Sequence, residues 1–452
     1  MYTDGDLAVW LIGGWHKFVL GKVLLKAMAT LRDRSLAVFP AGSNGEFNLP
    51  PELAMVITSG KGCELWDSDG RRFMDFSIGW GSVLVGHAHP KIVEAVSNQA
   101  SLGSNFAYIT EHALLLAEEI IDLSPACELL RFCASGTEAT MYCQRLACAF
   151  TGRPKILKFE GAYHGANEIG VTSLFPSNPP PFPQPDPTSA GIAHIVKNNV
   201  LVAPFNDLES TRRIVSDHAG NLAGVIVEPL QRCTPPEPGF LQGLRELTRE
   251  HDVLLIYDEV VTGFRLAYGG AQEYYGVIPD LVAYGKALGG GYPIGAFGGR
   301  KEIMDIVRED KLGDERYVWV ASTLGGNPIS TAAARAALSI FSEAGVYDQL
   351  HDMGKYLRDG LRRVLSERQV SSQVIGDGPL AQVVFSDEHI RNYRSTQRAN
   401  KELARATMLG LFKRGVFLNP MGTKLYLSIA HDEAVCDAFL DRFDDTLIDA
   451  LK

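Results

Sequence analysis

The chain has 452 residues, with 43 Lys plus Arg against 53 Asp plus Glu and a formal net charge of -10. Hydrophobic residues at 46% and charged residues at 21% are the balance of a folded globular protein, which excludes disordered, collagen-like and coiled-coil chains. The acidic total and the lack of a Lys/Arg cluster exclude a general nucleic-acid binder, and at roughly 150 residues per domain the length predicts two or three domains.

At the start of the chain Leu7 to Trp15 is apolar, but His16, Lys17, Lys22 and Lys26 interrupt it well short of the ~20 residues that span a bilayer. Residues 7–31 are expected to form a helix packed on a partner subunit, with a membrane-surface helix as the alternative. From there short β-like runs alternate with amphipathic helices, the signature of an α/β domain with a largely parallel sheet. Glu128–Cys133 reads as a strand. Ala134-Ser135-Gly136 and a helix from Thr137 to Phe150 follow, with Ala139, Cys143, Leu146 and Phe150 at helical spacing and Gly152 as the stop. Lys155–Phe159, Gly224–Val227 and Val253–Tyr257 are further strands, and Phe240–His251 is a crossover helix. Val253–Tyr257 is apolar throughout, as a strand covered on both faces must be. Phe175–Pro187 is proline-dense and can be neither helix nor central strand; with strands on both sides it reads as an excursion over a site. Beyond Ser330 the chain turns helical, with short strands at Gln382–Phe385 and Lys424–Ile429, which predicts a smaller α+β domain. Seven cysteines without a CxxC pair argue against zinc or any other metal centre and for a reducing, cytoplasmic setting.

Three residue groups carry chemistry. Asp258 ends the buried run Val253–Tyr257, so its carboxylate sits at the carboxyl end of a strand, where open α/β sheets bind ligands. Lys286 lies between the apolar Leu281–Tyr284 and the triplet Gly289-Gly290-Gly291. A P-loop would need Gly at Asp280 and Ser or Thr at Ala287, so Lys286 reads as a desolvated nucleophile suited to Schiff-base chemistry. Ser135-Gly136-Thr137, at a strand-to-helix junction, offers free N–H groups, two hydroxyls and close approach for a phosphate, although Ser-Gly-Thr is also a good helix cap. A phosphate anchor, a carboxylate for a pyridinium nitrogen and an amine for an aldehyde together describe a pyridoxal 5'-phosphate site.

From about Arg32 to the C-terminus the chain resembles the class III aminotransferases of fold type I, nearest the glutamate-1-semialdehyde aminomutase branch. The resemblance rests on GHAHPKIVEAV (Gly86–Val96), SGTEA (Ser135–Ala139), FEGAYHG (Phe159–Gly165), YDEVVTGFRLAYGG (Tyr257–Gly270), YGKALGGGYPIGAFGG (Tyr284–Gly299) and STLGGNP (Ser322–Pro328). It implies a large domain with a mostly parallel central sheet and a smaller α+β domain from both chain ends. The corresponding division is a helical extension over 1–31, the first part of the small domain over 32–95, the large domain over 96–330 and the rest of the small domain over 331–452. It also implies an aminotransferase working through a Lys286 Schiff base with pyridoxamine 5'-phosphate as intermediate. Lys286, Asp258 and Glu228 are the implied catalytic residues. Ser135, Gly136 and Thr137 would hold the phosphate, Tyr163 and Val260 the two ring faces, and Gln231 the ring hydroxyl. Thr323 would reach the phosphate of the neighbouring subunit in a homodimer.

The chain departs from the branch's pattern in the substrate pocket. The segment Asn44–Asn48, where the aminomutase carries a carboxylate-binding Arg, has none. Asn48 falls on that position, and Glu46 beside it suits a cationic amine or a solvated surface equally. Thr423, next to Lys424, replaces the branch's active-site Glu, and Cys233 replaces an Asn. Trp80, Phe47, Asn48, Tyr108 and Lys424 are the expected substrate contacts. The leading expectation is therefore an intermolecular aminotransferase taking small-molecule amine and carbonyl substrates. The aminomutase, an epimerase or a decarboxylase is the second, and a catalytically silent binding protein on the same fold a remote third. Phe175–Pro187 lies where the branch carries a mobile gate.

Overall fold

The structure, a computed structural model, describes residues 30–43, 45, 48–419 and 423–452; the expected N-terminal helix, Glu46 and Phe47 lie outside them. Seven strands form the central sheet: β4 (Leu129–Cys133), β5 (Lys155–Phe159), β6 (Val200–Ala203), β7 (Leu222–Val227), β8 (Leu254–Glu259), β9 (Leu281–Tyr284) and β10 (Gly295–Gly299). Their order is β4-β10-β9-β8-β7-β5-β6. β10 runs antiparallel to both its neighbours, and β9 through β6 are parallel.

Alternate residues of these strands serve two cores, because successive side chains of a strand point to opposite faces. On β8, Leu255 and Tyr257 enter one cluster with Phe159, Val227 and Tyr284, while Leu254 and Ile256 enter the other. The second cluster includes Ala139, Cys143 and Leu146, the apolar stripe of the helix Gly136–Thr151. The same alternation sends Asp258 toward the face carrying the start of that helix and Glu259 to the other.

β1 (Ile57–Lys61), β2 (Glu64–Asp67) and β3 (Arg72–Asp75) form a second sheet that β13 (Val416–Phe417) completes, pairing parallel with β3. β11 (Gln373–Ile375), β12 (Leu380–Val384) and β14 (Thr423–Tyr426) form the third. Met74 and Phe76 share one apolar cluster with Leu361, Leu411, Leu425 and Phe439, so residues from both ends of the chain build a single smaller core. Tyr426 N donates to Phe76 O at 2.8 Å, which brings the end of β14 to the chain just after β3. No helix of the described residues is long and apolar enough to cross a membrane.

Candidate active site

A cleft of about 760 Å³ opens at the carboxyl ends of the parallel strands, between the central sheet and the elements of the smaller core. Ser135, Gly136, Thr137, Tyr163, Glu228, Gln231, Asp258, Val260 and Lys286 all line it, as do Trp80 and Lys424. The described residues thus bring together every expected cofactor contact except Thr323.

Asp258 is 5% exposed. Its Oδ2 lies 2.8 Å from Nδ1 of His164, and its Oδ1 accepts from Val260 N at 3.1 Å. His164 is fully buried, and its Nε2 has no partner among the described residues. Glu228 Oε1 accepts from Tyr163 N at 2.8 Å and Oε2 from Arg232 N at 3.1 Å, so it fixes two loops that flank the cleft. Burial alone would raise the Glu228 carboxyl, but Arg232, His164 and Lys424 outweigh it and hold the group below its ordinary value.

Lys286 follows β9 and opens a short 3-10 turn, Lys286–Gly289, with φ of 44°. A left-handed conformation at a lysine is uncommon and persists only where the surroundings impose it. Burial pushes its amine below the usual lysine range, against the pull of Tyr426 and Asp258. Tyr426 is buried, and Lys424 Nζ sits 4.8 Å from the centre of its ring. Burial would raise the Tyr426 phenol, yet Lys424, which hydrogen-bonds it, and Lys286 together lower it.

At the other side of the cleft the helix Gly136–Thr151 presents its N-terminus. Ser135 is the cap, its Oγ accepting from Glu138 N at 3.2 Å, and Thr137 Oγ1 accepts from Ala166 N at 3.2 Å. The cap reading of Ser-Gly-Thr is thus observed, at a helix start that also lines the cleft. Gly136 is required by packing: a Cβ there would lie 2.7 Å from Cγ1 of Val260. Gln231 donates through Nε2 to Glu160 O at 2.8 Å, and its buried Oε1 is without a partner among the described residues.

Two expected substrate contacts lie elsewhere. Tyr108 is 85% exposed and does not line the cleft of its own chain, because the irregular stretch after Gly103 carries it away from the sheet. Asn48 is exposed with φ of 42° and also lies outside the cleft lining; its carbonyl accepts from Arg405 Nη2 at 2.7 Å. Thr323 is likewise exposed and outside the cleft of its own chain. Thr423 donates to Val383 O and lines the cleft, whereas Cys233 is buried beneath it. Phe175 lines the cleft at the start of the proline-rich segment.

Sequence reasoning did not single out His164, Arg232 or Tyr426. His164 stands within the FEGAYHG motif, but its partner Asp258 is 94 residues away. Arg232 carries one signal, a charged residue directly after Gln231.

The family described as aminotransferase class-III matches residues 48–447. A glutamate-1-semialdehyde 2,1-aminomutase of Methanothermobacter thermautotrophicus is 39% identical over 418 residues, which cover 92% of this chain and 97% of that protein. Among solved structures, an omega-transaminase from Sphaerobacter thermophilus matches with a TM-score of 0.88 at 35% identity, over 95% of this chain and 100% of that one. A transaminase with PLP bound matches with a TM-score of 0.84 at 28% identity, over 93% and 97% of the two chains.

Proposed function

The chain belongs to the class III aminotransferase family, and on that premise we propose that it is a pyridoxal-phosphate-dependent aminotransferase moving an amino group from an amine or amino acid to a keto acid or aldehyde. The observation that carries this reading is the convergence on one cleft of Lys286, the Asp258–His164 pair and the start of the helix Gly136–Thr151. These residues fit the cofactor. The helix start and Thr137 would hold its phosphate, Asp258 its ring nitrogen, Tyr163 and Val260 its two faces, and the unpartnered Gln231 Oε1 its ring hydroxyl.

When bound, the cofactor supplies an aldehyde that condenses with amines and a ring that accepts the electron pair left by deprotonation. The chain does the rest. Lys286 Nζ would hold the aldehyde and then, released, take the proton from the amine-bearing carbon of the substrate and return it elsewhere. Burial disfavours the charged form of that amine, the direction a group that acts as a base requires. Asp258 stays an acceptor for a protonated nitrogen because His164, through Nδ1, holds it in place. Glu228 orients the site through the amides of Tyr163 and Arg232.

The working unit in this proposal is a homodimer, with Thr323 of the partner subunit reaching the phosphate. Leu102, Phe106, Ile109, Trp319 and Leu324 are exposed along the stretches that flank Thr323 and support such an interface. The seven unpaired thiols, six of them buried, support a reducing cytoplasmic setting.

An aminomutase is the second reading, favoured by the identity to the Methanothermobacter enzyme. The lack of an arginine at Asn44–Asn48 favours the intermolecular reaction instead. Product analysis separates them: stoichiometric consumption of an added keto acid is expected, and an isomer formed without an acceptor would reverse the choice. Lys286→Ala is expected to fold and to lose turnover at least ~1000-fold, the scale of losing both a nucleophile and a base.

A further inference from the structure

Arg232 stands in a conformation that suits glycine. Its φ is 62°, in the left-handed region where a side chain other than Gly, Asn or Asp is disfavoured. Its backbone N–H is committed to Glu228 Oε2 at 3.1 Å. Its guanidinium carbon lies 5.7 Å from the centre of the Tyr163 ring and 5.8 Å from that of Phe175. Two aromatic rings thus flank the guanidinium at the cleft, and among the described residues no ion pair or side-chain hydrogen bond engages it.

Lys424 adds a second cation. It is 8% exposed and lines the same cleft, with its Nζ over Tyr426 and no carboxylate paired with it among the described residues. Burial would lower its ammonium, but Tyr426 and Cys233 outweigh that and shift the group upward. The two carboxylates in this part of the cleft are already engaged: Glu228 on two backbone amides and Asp258 on His164. Glu228 lies close enough for both cations to act on its carboxyl, but among the described residues neither is in direct contact with a carboxylate, and an entering anion supplies that contact. An arginine confined between two rings loses less freedom than a solvated one on taking a carboxylate in its two-pronged grip.

We propose that Arg232, with Lys424, forms a carboxylate-binding subsite, so that the substrate is an amine bearing a carboxylate rather than a plain amine. The fate of the bound amine rests on the aminotransferase reading; the binding itself does not. The subsite also accounts for the missing arginine at Asn44–Asn48: the anion is gripped from the segment after Gln231. Arg232 is the specificity-determining residue of the pair.

Calorimetric titration of the cofactor-loaded protein with 3-phenylpropanoate and with its neutral analogue 3-phenylpropanamide tests this. Wild type is expected to bind the carboxylate about tenfold or more tighter than the amide, the usual scale of a charge-assisted hydrogen bond. Arg232→Gln and Arg232→Gly, the latter suited to the backbone, are expected to bring that ratio near unity, and Arg232→Lys to leave it between. A wild-type ratio near one, or a ratio unchanged in both neutral variants, overturns the proposal. Keto-acid consumption by the same proteins, supplied with a panel of carboxylate-bearing amines as donors, separates the two claims. An Arg232-dependent carboxylate preference without transamination removes the aminotransferase reading and leaves the subsite standing. Intact transamination with no such preference removes the subsite alone.

Discussion

Lys158 has no solvent exposure, and its Nζ donates to Ala162 O at 3.0 Å, Gly170 O at 2.8 Å and Thr172 O at 2.5 Å. These carbonyls belong to both ends of the loop that carries Tyr163 and His164, so one side chain ties the ring-facing loop to the carboxyl half of β5. Burial pushes its amine down to about 7, against Glu228, yet three acceptors call for all three protons of the ammonium. Lys158→Met strands three buried carbonyls and is expected to cost roughly 2–4 kcal/mol of stability, measured by urea unfolding; a loss below ~0.5 kcal/mol would contradict that role. His431 gives a pH-dependent counterpart. Its ring is fully buried, 4.8 Å from that of Phe76, and Nδ1 accepts from Ser428 N at 3.0 Å. Burial lowers its pKa to about 4 from an ordinary 6.5. The unfolded chain therefore binds the proton first, so this contribution is complete above pH ~6.5 and is lost as pH falls through ~4, on the order of 3 kcal/mol. His431→Asn, which keeps an acceptor near Ser428 N, is expected to flatten that part of the acid limb in unfolding curves taken from pH 7 to 4. Lys286 and Asp258 were legible because each ends an apolar strand at a chemically odd residue. His164 and Arg232 were not, because their meaning lies in a partner remote in sequence or in a backbone angle, and Lys158 was not, because its role depends on how the following loop folds back over it.

Among the elements, the proline-rich segment came out as the residues imply: Phe175–Asp186 contains neither helix nor strand, and an isolated bridge joins Thr172 to Pro187 across its base. Its fastening came from far along the chain. Arg394 pairs with Glu160 at 2.8 Å, donates to Pro180 O at 2.7 Å and lies 3.9 Å over the Phe182 ring, while Tyr393 Oη donates to Pro176 O at 3.2 Å. Glu160 is nearly buried, so removing its partner leaves a charge uncompensated. Arg394→Ala is expected to speed limited proteolysis within 175–187 several-fold while leaving cleavage elsewhere unchanged; equal rates in both proteins would show that the contact fastens nothing. β10 shows the opposite limit of legibility. Its sequence GAFGG has none of the β-branched residues that mark strands. It is a strand because glycine alone fits between its neighbours: a Cβ on Gly295 would lie 2.3 Å from Ser135 O, and one on Gly298 2.5 Å from Cys127 Sγ. β1 to β3 were missed for another reason: β1 is largely exposed, and Met74 of β3 is buried among Leu361, Leu411 and Phe439, far along the chain in the smaller core.

At the scale of the molecule, the two-sided sheet follows from strand alternation, and the smaller core from both chain ends was legible only through family resemblance. The cleft lies between the sheet and that core, so its chemistry depends on elements from both. The net charge of -10 says nothing of the cleft, where Lys286, Lys424 and Arg232 gather cations on an acidic protein. Lys286 Nζ is expected to hold the cofactor, and the most direct test of that role is covalent. Borohydride reduction of the cofactor-loaded protein, followed by digestion and mass mapping, is expected to place the cofactor's mass on the peptide containing Lys286, with none on that peptide in Lys286→Ala. Label on Lys158 or Lys424 instead, or a wild-type protein that takes up cofactor and carries no label after reduction, would contradict the account.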